Sequence, residues 1–315
     1  MKEKKFISVV VYMHNVADGI IKFLDTVIPF CKARFEEFEI VCVNDASTDL
    51  TVETLKDYLA QNPAGAMVNV IHMSFFQGLE TAMNAGRDIA IGDFVYEFDT
   101  TEVDYEPELM MKVYEKLLEG NDIVAARSNG AVRVTSKLFY ALYNSTSRAK
   151  GKIGPETFRL ISRRAINRIQ SMGQYIPYRK AVYSNCGLNM ATVTYESRGT
   201  GNRKKKAAMA ERTGLAMDSF IYFTNALERI SAVISGVFLL LTVGMGIWLV
   251  MDLFNADKPV EGWLSTMGFL ALGFFGVFAL LTIILKYLSV LLNLVFKQQR
   301  YLIADIEKVV NHNEH

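Results

Sequence analysis

The first hundred residues alternate short, almost wholly apolar runs with longer segments whose apolar residues recur at helical spacing. Continuous β-branched runs are typical of parallel strands that are covered on both faces. Four such runs predict strands, at residues 6–12, 38–45, 69–73 and 94–98. The intervening segments predict helices, at residues 17–32, 50–61 and 78–91. This alternation predicts an α/β fold in which a mainly parallel, Rossmann-like sheet carries helices on both faces.

Polar residues follow three of these strands where each strand ends. Asn15 follows the first strand, the segment NDASTD at 44–49 ends the second, and Asp99 follows the fourth. Ligands bind at the carboxyl ends of strands in such sheets, so these residues predict a nucleotide site in one crevice. The chain has no GxGxxG after the first strand, which argues against a dinucleotide site, and no GxxxxGK[ST], which excludes a P-loop nucleotidase.

Beyond residue 230 the pattern changes to long apolar stretches. Residues 231–251 and 264–285 each have about the ~20 residues that a helix needs to cross a membrane. Basic residues at 203–206 and 297–300 flank the pair, and by the positive-inside rule both termini are then cytoplasmic. The sequence therefore predicts an integral membrane protein, in a bacterial inner membrane, with two transmembrane helices forming a hairpin.

Four segments are predicted on this basis. Residues 1–212 form the cytoplasmic α/β domain, and residues 213–230 form an amphipathic helix suited to lie in the membrane interface. Residues 231–296 form the hairpin. Residues 297–315 form a cytoplasmic helical tail, interpreted as a surface or homo-oligomer contact.

Composition and charge narrow the class of protein. The 315 residues include 34 Lys+Arg and 33 Asp+Glu, a net charge of +1, so no nucleic-acid surface is indicated. The apolar run near the N-terminus is too short for a signal-peptide core. The three cysteines lack metal-site spacing, as expected of structural thiols in a reducing compartment. These features predict a cytoplasmic domain that is tied to a membrane.

Five segments, in this order and spacing, resemble the family 2 glycosyltransferases of GT-A fold. They are SVVVYMHN, VNDASTD, GLETAMNAGRDIAIGDFVYEFD, RVTSKLFYALYN and ETFRLISRRAI. The resemblance is closest to the polyprenyl-phosphate glycosyltransferases, the group that includes dolichol-phosphate mannose synthase and bacterial undecaprenyl-phosphate hexosyltransferases. It covers residues 6–230.

The resemblance implies inverting transfer of a hexose from a UDP- or GDP-linked sugar to undecaprenyl phosphate at the cytoplasmic membrane face. A phosphate monoester has a second pKa of about 6, so this acceptor arrives anionic and needs no strong base. The enzyme must instead supply positive charge. The implied partners are a nucleotide diphosphate sugar, polyprenyl phosphate and membrane lipid, without nucleic acid.

The same resemblance assigns roles to individual residues. Residues at the strand ends would bind the nucleotide sugar: Tyr12, Asn15, Asn44, Asp45, Gly78 and Asp99. Charged residues would act in catalysis: Asp99, Arg159 and Arg203. Basic residues would bind the acceptor phosphate: Arg133, Lys137, Arg198, Arg203 and Lys204. Two alternatives stay open, namely that the basic run at 203–206 contacts only lipid headgroups and that the helix face with Lys137 serves packing.

The predicted metal motif departs from the family pattern. The family's Asp-x-Asp appears as Asp99-Thr100-Thr101, so a threonine replaces the second carboxylate. Asp99 with Glu102 or Asp104 would still suffice for Mg2+ or Mn2+, because Mg2+ often uses one or two protein carboxylates plus substrate phosphates. The alternative is a solvated acidic loop. Phe76 is a second departure, since the family often has asparagine there.

Two other classes of protein are weighed against a transferase. A non-catalytic membrane protein of GT-A fold, binding nucleotide sugar, lipid or a partner transferase, is favoured by the missing carboxylate. A processive polysaccharide synthase is disfavoured because only two spans are predicted and no Gln-x-x-Arg-Trp motif occurs.

Overall fold

The structure is a computed structural model that describes most of the first 197 residues and two later stretches. The described residues are 2–130, 140–141, 144–145, 153–172, 178–197, 263–296 and 301–310, with scattered positions between 233 and 251. The chain divides into two compact units, Met1–Ala216 with Gln298–His315, and Met217–Lys297. The first is called the catalytic unit below.

Four parallel strands form the centre of the sheet in the catalytic unit, in the order β3-β2-β1-β4. They are β1 (Ile7–Met13), β2 (Phe38–Asn44), β3 (Met67–Met73) and β4 (Phe94–Phe98). The helices between them are α1 (Ala17–Arg34), α2 (Thr51–Gln61) and α3 (Leu79–Ile89). Each of these strands and helices lies within a few residues of its predicted position, which confirms the α/β, mainly parallel prediction.

The second half of the sheet mixes strand directions. Its elements are α4 (Glu108–Leu118), β5 (Ile123–Ser128), β6 (Phe158–Ser162), α5 (Arg163–Ser171), α6 (Arg179–Asn185) and β7 (Met190–Tyr195). Strand β6 runs antiparallel between β4 and β5, and β7 runs parallel to β5. The register of β4 and β6 places Arg159 opposite Glu97, which matters for the site described below.

Helix α3 packs directly against the sheet at a glycine. A Cβ atom on Gly86 would lie 2.5 Å from Cγ1 of Val10 and 2.5 Å from Cγ2 of Val43. Both valines are fully buried in the sheet. The absence of a side chain at Gly86 therefore sets how closely α3 packs on β1 and β2.

The tail that was predicted to be helical is a strand, and that prediction is wrong. Strand β8 (Ile303–Val310) pairs antiparallel with β3 and closes that edge of the eight-stranded sheet. Glu307 of β8 also contacts Lys56 at 2.8 Å and His72 at 3.4 Å. Without the tail, this edge of β3 would be unpaired, and the tail contains β-branched residues. Both features favour a strand over the helix that the charged pattern of the tail indicated.

The apolar unit contributes one long described helix, α7 (Trp263–Phe296), of 34 residues. Among the residues that the structure describes, no helix meets the combined length and hydropathy criteria for a membrane span. Most of the first predicted span and the turn after it lie outside the described residues. The transmembrane hairpin and the interfacial helix at 213–230 stay predictions.

Candidate active site

The carboxyl ends of the parallel strands bring the predicted donor-binding residues to one edge of the sheet. Tyr12 ends β1 together with Met13, Asn44 ends β2, and Gly78 precedes α3. The loops after β1 and β2 are in direct contact, because Nδ1 of His14 lies 2.7 Å from the carbonyl oxygen of Asp45. The convergence that the sequence predicted is therefore present.

Asp45 is fully buried and holds the turn that leads into α3. Its carboxylate accepts hydrogen bonds from the backbone N–H groups of Gln77 and Gly78, both at 2.8 Å, and from the Tyr12 hydroxyl at 3.0 Å. Gly78 has φ 85°, a value that favours glycine. Tyr12 and Gly78 are thus both hydrogen-bonded to Asp45. The predicted contacts of these three residues with the nucleotide stay predictions.

Asn15 joins the loop after β1 to the loop after β2, and Asn44 holds the loop after β2 from within. Asn15, at φ 53°, accepts hydrogen bonds on Oδ1 from the backbone of Thr48 at 2.8 Å and Asp49 at 3.3 Å. Oδ1 of Asn44 accepts from the backbone of Ser47 at 3.1 Å. These side chains shape the rim of the crevice, and their predicted role toward the nucleotide stays a prediction.

A buried cluster of arginines and carboxylates lies at the end of β4. Arg159 donates to Glu156 at 3.0 Å, Glu97 at 2.9 Å and Asp99 at 2.9 Å. Arg159 is only 1% exposed. All three nitrogens of its guanidinium group are engaged, so the described contacts of Arg159 hold carboxylates in place.

Arg179, the first residue of α6, completes this cluster. It donates to Glu80 at 2.9 Å, Glu97 at 2.9 Å and Asp99 at 2.6 Å. Sequence reasoning singled out Arg159 and Asp99 but missed Arg179, Glu80 and Glu97. The one available signal was a charged residue, Glu97, inside the otherwise apolar run FVYEF.

The cluster keeps Asp99 ionised. Burial alone would raise the pKa of Asp99, but the charges of Arg159, Arg179 and Lys180 outweigh burial and hold the pKa well below its ordinary value. Each oxygen of the Asp99 carboxylate accepts a hydrogen bond from a different arginine. Asp99 is therefore a fixed anion with little freedom to reorient.

The residues predicted to hold a metal are bound to other protein groups or are exposed. Asp99 is bound by the two arginines, Glu102 is exposed, and Asp104 accepts hydrogen bonds from Tyr195 and Ser197, each at 2.7 Å. Within the described ranges, no group of three His, Cys, Asp or Glu residues could hold a metal ion. The metal role of Asp99 and Glu102 thus stays a prediction that these contacts do not support.

Thr101 occupies the position of the missing second carboxylate, and it is packed into the structure. The residue is only 4% exposed. A Cβ atom on Gly19 of α1 would lie 2.7 Å from its Oγ1. A carboxylate at position 101 would face α1 in the same confined space.

The predicted acceptor-side residues cannot be placed. Arg133, Lys137, Arg198, Arg203 and Lys204 all lie outside the described residues. Their roles toward the acceptor phosphate, and the role of Arg203 in catalysis, stay predictions.

The mainly parallel sheet with its flanking helices has a GT-A-like fold, the architecture of nucleotide-sugar-dependent transferases. The model of Glycosyl transferase family 2 matches residues 8–173, more than half of the chain. The chain belongs to this family and is a glycosyltransferase that takes its sugar from a nucleotide sugar.

Known proteins similar to this chain agree with that assignment. An uncharacterized glycosyltransferase of Synechocystis is 25% identical over 310 residues, covering 95% of each chain. A bactoprenol glucosyl transferase of Shigella phage SfV is 28% identical over 274 residues, covering 83% of this chain and 86% of its own. The fold is similar to that of the mannosyltransferase PcManGT from Pyrobaculum calidifontis, solved with GDP-Man and Mn2+, with a TM-score of 0.54, 14% identity, and coverage of 91% and 88%.

Proposed function

We propose that this glycosyltransferase moves a hexose, with inversion, from a UDP- or GDP-linked sugar to a polyprenyl phosphate such as undecaprenyl phosphate. The observation that carries the proposal is the extent of the likeness to bactoprenol glucosyl transferase. That likeness covers 83% of this chain, which is more than the catalytic unit contains, so it reaches into the apolar unit. An apolar unit shared with such a transferase is what a lipid-linked acceptor would need.

The chemistry of the acceptor fits the residues at the crevice. A phosphate monoester is largely dianionic at neutral pH, so it can attack the anomeric carbon without a general base. Glu97 and Asp99, at the end of β4, are both paired with arginine, and the ionised Asp99 is poorly suited to take up a proton. The reaction therefore depends on positioning and on positive charge more than on proton transfer.

The positive charge that faces the phosphates must come from side chains other than Arg159 and Arg179. These two arginines are buried and are already bound to carboxylates. The basic residues predicted for this role are Arg133, Lys137, Arg198, Arg203 and Lys204. Arginine suits bidentate contact with phosphate and lysine supplies a compact charge.

The apolar unit is proposed to insert in the membrane, with the catalytic unit on the cytoplasmic side. Large apolar side chains on α7 are exposed, including Phe274, Phe275 and Phe278. Exposed apolar surface of this extent is typical of contact with lipid or with another protein. A polyprenyl acceptor in the same membrane presents its phosphate at the membrane surface.

The test uses the full chain in lipid nanodiscs with undecaprenyl phosphate and radiolabelled UDP- and GDP-hexoses. We expect label in the lipid phase with one donor and none when undecaprenyl phosphate is omitted. Arg203→Ala should lower the rate while membrane association is kept, and Arg168→Ala, at an exposed arginine of α5, should leave the rate unchanged. Nucleotide binding without any labelled lipid, for every donor tried, would overturn the proposed acceptor.

A further inference from the structure

Two aromatic rings meet at the rim of the crevice, where the loops after β1 and β3 approach each other. Phe76 is 49% exposed, and its ring centroid lies 4.6 Å from that of His14, with the planes tilted by 50°. We call these two residues the aromatic pair. Phe76 and the preceding Phe75 both leave about half of their surface exposed, and Phe76 is the one whose ring meets His14.

The loop that carries Phe76 is fixed from two sides. On one side, Asp45 accepts the backbone N–H groups of Gln77 and Gly78. On the other, the Gln77 side chain donates to the carbonyl of Leu302 at 2.6 Å and accepts from its N–H at 3.0 Å. The Phe76 ring is therefore presented at the surface by a backbone that is already held in place.

His14 is held equally well. Its Nδ1 lies 2.7 Å from the carbonyl oxygen of Asp45, the same residue whose carboxylate anchors the turn after Phe76. One buried aspartate thus supports both rings. Because both rings are already fixed, little conformational entropy is lost when a flat ligand binds, and this favours affinity.

The polar residues beneath the aromatic pair hold the protein together more than they face a ligand. The Asp45 carboxylate is buried and accepts three hydrogen bonds, and Asn15 is bonded to the loop after β2. The exposed aromatic surface therefore remains the feature of this rim that suits a flat ring. Stacking on an aromatic side chain tolerates any nucleobase, because every base has a π-face.

We propose that the aromatic pair of Phe76 and His14 stacks against the nucleobase of the sugar donor. Phe76 is then a determinant of donor affinity at a position where the family often has asparagine. The inference rests on the nucleotide-sugar donor and is independent of the identity of the acceptor. It places the base at the carboxyl ends of β1 and β3, with the diphosphate directed toward β4.

The test compares three probes, UDP, GDP and inorganic pyrophosphate, binding to the full chain by calorimetry. Phe76→Ala should weaken UDP and GDP by about tenfold, as expected for the loss of one base–aromatic stack. Pyrophosphate has no base, so its affinity should be unchanged. Phe75→Ala is the matched control, because Phe75 is the preceding residue and is 55% exposed, and it should change each affinity by less than about twofold.

A second variant separates stacking from a structural effect. Phe76→Trp should keep the affinity for UDP and GDP, and its added fluorescence should be quenched by either nucleotide and not by pyrophosphate. Equal weakening of all three probes by Phe76→Ala would show a structural role and overturn the proposal, as would unchanged affinity for both nucleotides. Absence of labelled lipid in the transfer assay, with stacking intact, would count against the acceptor alone.

Discussion

Arg159 and Arg179 hold the carboxylate of Asp99 between them, and each also donates to Glu97. Removing one partner from such a group leaves a buried charge without compensation, which costs far more than replacing the whole group by apolar residues. The cluster therefore fixes the end of β4 only while every member is present.

Arg179→Met should lower the free energy of unfolding by about 3–5 kcal/mol, because it leaves Glu80, Glu97 and Asp99 short of a buried cation. Urea unfolding of the detergent-solubilised chain, followed by circular dichroism, measures this. Arg168→Met is the control: this arginine of α5 is exposed, so little stability should be lost. Equal losses in the two variants would contradict the account of the cluster.

Thr101→Asp should not restore a second metal ligand. The side chain at this position is buried against Gly19, so a carboxylate there would be an unpaired buried charge, costing about 3 kcal/mol or more of stability. Thermal unfolding, with and without Mn2+, checks this. Thr100→Asp, one residue earlier and partly exposed, should be milder. A Thr101→Asp chain that is stabilised by Mn2+ would show instead that the position can face a cation.

At the scale of whole elements, the close approach of α3 to the sheet at Gly86 organises the donor side of the fold. The turn before this helix contains Gln77 and Gly78, both bound by Asp45. The position of α3 therefore determines where the loop with Phe76 lies.

Gly86→Ala should destabilise the catalytic unit by about 1–3 kcal/mol through overpacking against Val10 and Val43. Helix propensity acts in the opposite direction, favouring alanine by about 1 kcal/mol, so a net loss isolates the packing effect. The midpoint of urea unfolding measures it. Gly273→Ala in α7 has nothing within 4 Å of the added Cβ atom and should not lower that midpoint. A Gly86→Ala chain as stable as the unmodified protein would show that α3 can shift freely.

The sequence predicts those elements whose packing is local in the chain. The runs that became β1 to β4 are mainly apolar, and buried parallel strands require that pattern. Strand β8 could not be predicted this way, because its state depends on an open edge of β3 far away in the chain. Arg179 was missed for a similar reason, since its partner Glu80 is 99 residues away and no spacing rule links them.

At the scale of the whole molecule, the chain returns to its catalytic unit after an apolar unit. Residues 298–315 belong with residues 1–216, so the apolar unit is an insertion tied to the catalytic unit at both ends. The proposed membrane insertion of that unit can be tested apart from catalysis.

Replacing Phe275 and Phe278 together by lysine should release the protein from membranes or prevent its insertion. Both side chains are exposed on α7, at 69% and 64%, and a lysine at the centre of a spanning helix costs about 2.5–3.5 kcal/mol. Carbonate extraction of membranes, with immunoblotting, measures this. Leu50→Lys is the control, since Leu50 is 68% exposed in the catalytic unit. Undiminished membrane retention of the double variant would contradict insertion of α7.

Strand β8 also bears on how the protein is made. Gln77 and Leu302 lie 225 residues apart, so the strand that closes β3 leaves the ribosome long after β3 itself. At about 5–20 residues per second, the wait is on the order of ten seconds or more. During translation β3 exposes an edge that can pair with other chains. A stop codon ahead of residue 303 would leave that edge open permanently, so truncated products should aggregate even with every residue of the crevice intact.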